Sequence, residues 1–116
     1  MRTFLAAVLI FFAGQASALS VADYVRMHAA AQEGDASAGR LLESYVAGVT
    51  ETVLTTHAMR PIPGLCFPKG VEIRVRDVYP MTAVVMNTSI YRRLDRSRIP
   101  FAKLVIDALS VRYPCS

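Results

Sequence analysis

Cys66 lies mid-chain and Cys115 one residue from the C-terminus, and no third cysteine competes for either. Once oxidised, such a pair closes a loop of about 50 residues, which chain entropy values on the order of 4 kcal/mol. Whether it is oxidised depends on the compartment, and the first residues bear on that. Met1 to Ala18 has a basic start at Arg2, an unbroken apolar stretch from Phe4 to Ala13, and the small residues Ala16-Ser17-Ala18. That is the layout of a secretory signal peptide cut after Ala18. Phe4 to Ala13 is about half the roughly 20 residues needed to cross a bilayer, which argues against an anchor. The expectation is a periplasmic or secreted mature domain of 98 residues, Leu19 to Ser116, with no membrane insertion after cleavage and with Cys66 joined to Cys115. A free catalytic thiol would need a base close by, and Cys66 stands between Leu65 and Phe67 with none.

Four segments carry the three- and four-residue apolar spacing of helices, so the sequence predicts an all-α fold, a small four-helix bundle-like domain with one disulfide. The first, about Ser20 to Gln32, opens on a possible Ser20/Asp23 capping pair and presents Val21, Tyr24, Val25 and His28 on one side. Gly34 ends it. Asp35 can cap the second, which runs to about His57 with Leu41, Leu42, Tyr45, Val46, Val49 and Val53 in its stripe. Gly48 falls inside that stripe at a cost of up to about 1 kcal/mol relative to alanine, which leads to the expectation of a backbone or an aromatic ring packed closely there.

Arg60 to Gly70 holds three prolines and two glycines and must be a loop. Val71 to Val75 alternates like a strand but has no partner, and reads as irregular or as the lead-in to a helix. Pro80 then limits the third helix to a start near Asp77 or Tyr79, with Met81, Val84, Val85, Thr88, Tyr91 and Leu94 on one side as far as Arg93 or Leu94. The last helix has Pro100 at its first position, places Phe101, Leu104, Val105, Ala108 and Val111 inward, and ends near Arg112 before Pro114.

Charge is uneven. Leu19 to Cys66 carries three basic and five acidic residues, whereas Phe67 to Ser116 carries nine basic and four acidic. A basic half suits an acidic protein, an anionic glycan or the acidic half of another copy, although Arg92, Arg93, Arg96 and Arg98 also suit a solvated helix face. Nucleic acid is not expected as a partner, because no aromatic residues interleave with the basic ones and no nucleic-acid motif is present. Composition excludes collagen, low-complexity sequence and disorder.

Tyr45-Val46-Ala47-Gly48-Val49, Leu65-Cys66-Phe67-Pro68, and Ala108-Leu109 followed by Tyr113-Pro114-Cys115 together resemble the Rap/Tai family of type VI secretion immunity proteins. The likeness runs from about Leu41 to Cys115. It implies a small exported helical protein that binds and inhibits a cell-wall amidase effector, typically as a homodimer, by occupying the enzyme's cleft. The chain departs from the family at Leu42, where a helix-two cysteine of a further pair is expected.

On this reading the chain is not an enzyme and needs no cofactor. It has no catalytic residues and no metal ligands, and His28 and His57 are structural or surface side chains, with no cysteine or paired carboxylate at ligand spacing. The first places to seek partner contacts are the Arg60 to Lys69 loop and the Leu94 to Ile99 turn. Arg60, Lys69, Arg96 and Arg98 offer polar contacts there, and Phe67 an apolar anchor. The competing readings are solvated charge for the four basic residues and a core plug beside the disulfide for Phe67. A homodimer could bury Val21, Tyr24 and Val25 if the core does not consume them. A different class of function, an HdeA-like periplasmic acid-stress holdase, shares the size, the single bridge and the basic character.

Overall fold

The computed structural model describes residues 19 to 116, so the signal-peptide expectation for Met1 to Ala18 lies outside the described residues. Five α-helices and a short 3-10 turn follow in order: α1 (Val21–Gln32), α2 (Ala36–Met59), α3 (Val75–Met86), α4 (Ser89–Arg93), the turn Arg96–Arg98, and α5 (Phe101–Arg112). The expected all-α architecture with one disulfide is what forms. No helix among the described residues is long and apolar enough to cross a membrane.

Local chemistry sets the first hairpin. Ser20 Oγ accepts the Asp23 N–H at 3.1 Å, and the Asp23 carboxylate accepts the Ser20 N–H at 3.0 Å, a reciprocal cap that satisfies two otherwise orphaned donors. These bonds hold the Asp23 carboxyl below its ordinary pKa. Gly34, at φ +103°, supplies the left-handed residue that turns the chain. Asp35 then caps α2 by accepting the Ala38 N–H. α1 and α2 pack as an antiparallel pair, with Ala31 meeting Gly39.

α5 is the axis of the core. Phe101, Leu104, Val105 and Leu109 have no exposed surface, and α1, α2 and α3 all pack on this helix. It is tied at both ends. At its start the Val21 N–H donates to the Ile99 carbonyl at 2.8 Å, and the Phe101 N–H to the Leu19 carbonyl at 2.9 Å. At its end the Cys66 N–H donates to the Tyr113 carbonyl at 2.9 Å, beside the Cys66–Cys115 disulfide, whose Cα atoms are 5.0 Å apart.

Several expectations need correction. Val111 is 57% exposed and Leu109 takes the inward position, while Leu41 on α2 and Val84 on α3 face outward at 65% and 59%. Each lies at the margin of an apolar arc broader than the neighbouring helices cover. Thr88 and Leu94 are exposed as well, because the third helix does not continue to Leu94. It stops at Asn87, whose N–H bonds to the Ala83 carbonyl. Thr88 Oγ1 then donates to the Val85 carbonyl at 2.7 Å and accepts the Tyr91 N–H, restarting the chain as α4.

The start also moves. α3 begins at Val75, two residues before Asp77, because the Asp77 carboxylate accepts the Arg74 N–H at 3.1 Å and caps an earlier turn. Pro80 therefore sits inside the helix, on its exposed side, where water can serve the Arg76 carbonyl that lost its donor. Pro100 is the residue before the first helical position of α5, not that position itself. Val21 and Tyr24 are consumed by the core, so the α1 patch conditional on their being free does not exist.

Gly48 is the clearest reversal. A Cβ built there meets nothing within 4 Å, so no ring or backbone packs against it and α2 simply carries an exposed helical glycine. Gly48→Ala should raise stability by about 1 kcal/mol, measured as an upward shift of the urea midpoint. A shift downward would mean that something packs against Gly48 after all.

Tyr24 joins α1 to α3. Its ring stacks on Phe101 at 4.6 Å between centroids, and its hydroxyl lies 2.9 Å from Thr82 Oγ1. Thr82 Oγ1 itself donates to the Tyr79 carbonyl at 2.8 Å, so Tyr24 is the donor in the buried pair. Burial raises the Tyr24 hydroxyl above its ordinary pKa. Thr50, by contrast, has a buried hydroxyl with no partner among the described residues. Thr82→Val leaves the Tyr24 hydroxyl buried and unpaired, whereas Tyr24→Phe leaves Thr82 still donating. The first should cost about 1–3 kcal/mol and the second about 1 kcal/mol, an order that urea titration of the two variants checks.

Candidate functional site

The cysteine loop is built to hold one shape. His57, in the last turn of α2, accepts the Ile62 N–H on Nδ1 at 2.9 Å. The Leu65 N–H returns to the Ile62 carbonyl at 3.2 Å, and the Val71 N–H to the Pro68 carbonyl at 3.2 Å. Gly64 and Gly70 take φ values of +82° and +80° that a side chain would resist. Leu65 is buried and bridges to Pro114, and the disulfide follows at the next residue. Phe67 meets the His57 ring edge-on at 5.3 Å and lies 5.2 Å from the Tyr113 ring. It is half-buried between them, which places it as the plug beside the disulfide and not as a protruding anchor. Arg60 and Lys69 are exposed at the two ends of this loop, with no ion pair among the described residues.

The Leu94 to Ile99 turn lies elsewhere. Asp95 accepts from the Ser97 N–H and hydroxyl, bonds that depress its carboxyl pKa, and pairs with Arg98 at 3.6 Å. Arg96 is half-buried and directs Nη2 at the Met86 carbonyl, 3.4 Å away at the end of α3. Its charge thus serves a helix C-terminus. The turn leads into the start of α5 and the cysteine loop meets its end, so the two are separated by about 18 Å, the length of a twelve-residue helix. The structure brings Arg60, Phe67 and Lys69 to one end of the domain and Arg96 and Arg98 to the other.

Between those ends lies a surface the sequence reading did not single out. Two shallow, open depressions that share Val111 lie along α3, α4 and α5. One, of about 580 Å³, is lined by Asp77, Pro80, Met81, Val84, Val111 and Arg112, among others. A second, of about 450 Å³, is lined by Ile90, Tyr91, Leu94, Lys103 and Asp107, among others, and shares Val111 with the first. Ile90 and Leu94 are 70% and 44% exposed. The signal for this surface was present as a surplus: α3 carries Val78, Thr82 and Val85 for the core and Met81 and Val84 beside them, more apolar width than one interface uses.

The polar residues of the second depression are already paired. The Tyr91 hydroxyl donates to Asp107 Oδ2, and Lys103 Nζ bonds to the same oxygen at 2.7 Å. Burial and the Asp107 carboxylate hold the Tyr91 proton well above the ordinary tyrosine range. His28 stacks on Tyr79 at 5.1 Å and on Tyr24 at 5.9 Å. No group of three or more His, Cys, Asp or Glu among the described residues is placed to hold a metal ion.

Because Tyr91 is harder to ionise folded than unfolded, its contribution is fully present below about pH 10 and is lost as pH rises from there toward its folded pKa. The urea midpoint should therefore fall between about pH 8 and pH 11, and Tyr91→Phe should lose less over that interval than the parent chain. Equal losses in both proteins would assign the alkaline weakening to other groups.

No known protein family, curated protein or solved structure matches this chain.

Proposed function

We propose that this chain is a periplasmic immunity-type protein that binds and inhibits a cell-wall amidase effector of a type VI secretion system. The observation that carries the reading is the pinned loop. Leu65-Cys66-Phe67-Pro68 and Tyr113-Pro114-Cys115, two of the motifs behind the Rap/Tai resemblance, meet in space through the Leu65–Pro114 bridge and the disulfide. A loop held by the disulfide, the His57 acceptor and two left-handed glycines loses little further freedom when it enters an enzyme cleft, and such preorganisation favours tight inhibition. Arg60 and Lys69, exposed at its ends, supply charge to steer it to an acidic cleft mouth. Such a protein performs no chemistry of its own, and the mature domain begins at Leu19 once the signal is removed.

Periplasmic co-expression with an amidase encoded beside it should protect cells from lysis, and the purified mature chain should form a stable complex with that enzyme. Arg60→Glu with Lys69→Glu should weaken the complex by about tenfold or more, read by calorimetry. Lysis that continues at full rate, together with no complex, sinks the assignment.

A further inference from the structure

The two tethers of α5 differ in kind. At its start the helix is held by backbone bonds to Leu19 and Val21, beside the fully buried side chains of Val21 and Phe101. At its end it is held by the Cys66–Cys115 bond, and both of these cysteines are exposed. A thiolate can reach an exposed disulfide without unfolding the chain around it, and exposed bonds are the more readily reduced ones. The charge around this bond favours such an attack. Residues 60 to 71 carry Arg60 and Lys69 and residues 108 to 116 carry Arg112, with no aspartate or glutamate in either stretch. None of the three cations forms an ion pair among the described residues, although Arg112 also lies over the Tyr113 ring at 5.1 Å. Positive charge draws an anionic thiolate and favours the thiolate that leaves.

We propose that Cys66–Cys115 is a redox latch: a dithiol reduces it in the folded protein, and the cysteine loop then parts from the segment after α5 while the rest of the core stays folded. The thiolate of the dithiol attacks one cysteine sulfur, the S–S bond breaks, and the other cysteine leaves as a thiolate that takes up a proton. The second thiol of the reductant, losing its own proton, displaces the first cysteine from the mixed disulfide. Two protein thiols form as the dithiol becomes a disulfide.

This end of α5 is then left with the Cys66 N–H bond to Tyr113, the Leu65–Pro114 bridge and the packing of Phe67 between His57 and Tyr113. Those contacts must bear alone the entropy of closing a loop whose cysteines are 49 residues apart. The other end keeps its backbone bonds and the buried Val21, Tyr24 and Phe101. Resting on the reading of this loop as the inhibitory element, the latch makes inhibition depend on oxidation, because a released loop must be ordered again before it enters a cleft.

The test treats the purified mature protein with dithiothreitol in native buffer. Free thiols, counted by iodoacetamide labelling and mass spectrometry, should appear at a rate within about tenfold of that in denaturing urea. In the reduced protein the Cys66 and Tyr113 amides should exchange hydrogen about tenfold faster or more than in the oxidised one, while the Val21 and Phe101 amides stay protected and circular dichroism keeps its helical signal. Cys66→Ser with Cys115→Ser should reproduce that pattern without reductant. It should also bind the amidase at least about tenfold more weakly than the oxidised parent, and reoxidation of the reduced parent should restore binding in full.

Thiols that appear only in urea, four amides that lose protection together, or a Cys66 amide that stays protected after reduction each overturn the latch. So does equal amidase binding by the oxidised and reduced chains. If neither form binds the amidase while the amides respond as stated, the amidase assignment falls and the latch stands. If the oxidised chain inhibits and its bond resists dithiothreitol, the latch falls alone.

Discussion

The double tether on α5 is the constraint from which the rest of the structure follows. A twelve-residue helix is marginal by itself in water, and this one is also the element whose side chains reach the most complete burial. It holds its place because its start is bonded to Leu19 and Val21 and its end to Cys66, by backbone and by sulfur. Those bonds fix both ends of its axis. α1 and α2 then close one side and α3 the other. Against a total stability of 5–15 kcal/mol for ordinary domains, a cross-link worth on the order of 4 kcal/mol is a large share. The chain spends that share on the helix that all three long neighbours touch.

How far the sequence could be read depended on whether a feature was local. Ser20 with Asp23, Gly34, Asp35 and the prolines of the cysteine loop act within a turn of themselves, and each did what its chemistry predicts. So did the thiol pair, since only one pairing exists. Val84 and Val111 were misread for a different reason. Apolar spacing shows that a helix has a wet side and a dry side, but the width of the dry side is set by which neighbours arrive, and these valines stay exposed. Gly48 failed in the same way, since a glycine in a stripe announces close packing only if something packs. The break at Asn87 turned on the Thr88 hydroxyl reaching back to Val85, a bond that a threonine in a helical run does not reveal.

The candidate site was legible only in part. Arg60 and Lys69 are exposed on a rigid loop as expected, yet Phe67 is held between His57 and Tyr113, and Arg96 is turned toward the end of α3. The two segments named for partner contacts, the cysteine loop and the Leu94 to Ile99 turn, stand at opposite ends of α5. The depressions between those ends escape the sequence because Met81, Val84, Leu94 and Val111, which line them, carry core spacing. Misassigned core and missed surface are therefore one error: a side chain expected inside and found outside is, by that fact, available to something else.

The position of α5 in the chain also bears on the order in which structure can accumulate. The helix that completes the core is encoded last, and both its tethers join residues far apart in sequence: Leu19 with Phe101, and Cys66 with Cys115. A chain delivered from its N-terminus must be released through α5 before the central contacts can form. The earlier helices meanwhile present an open apolar trough with no occupant. The core of the described domain thus closes only once α5 is present to be tethered.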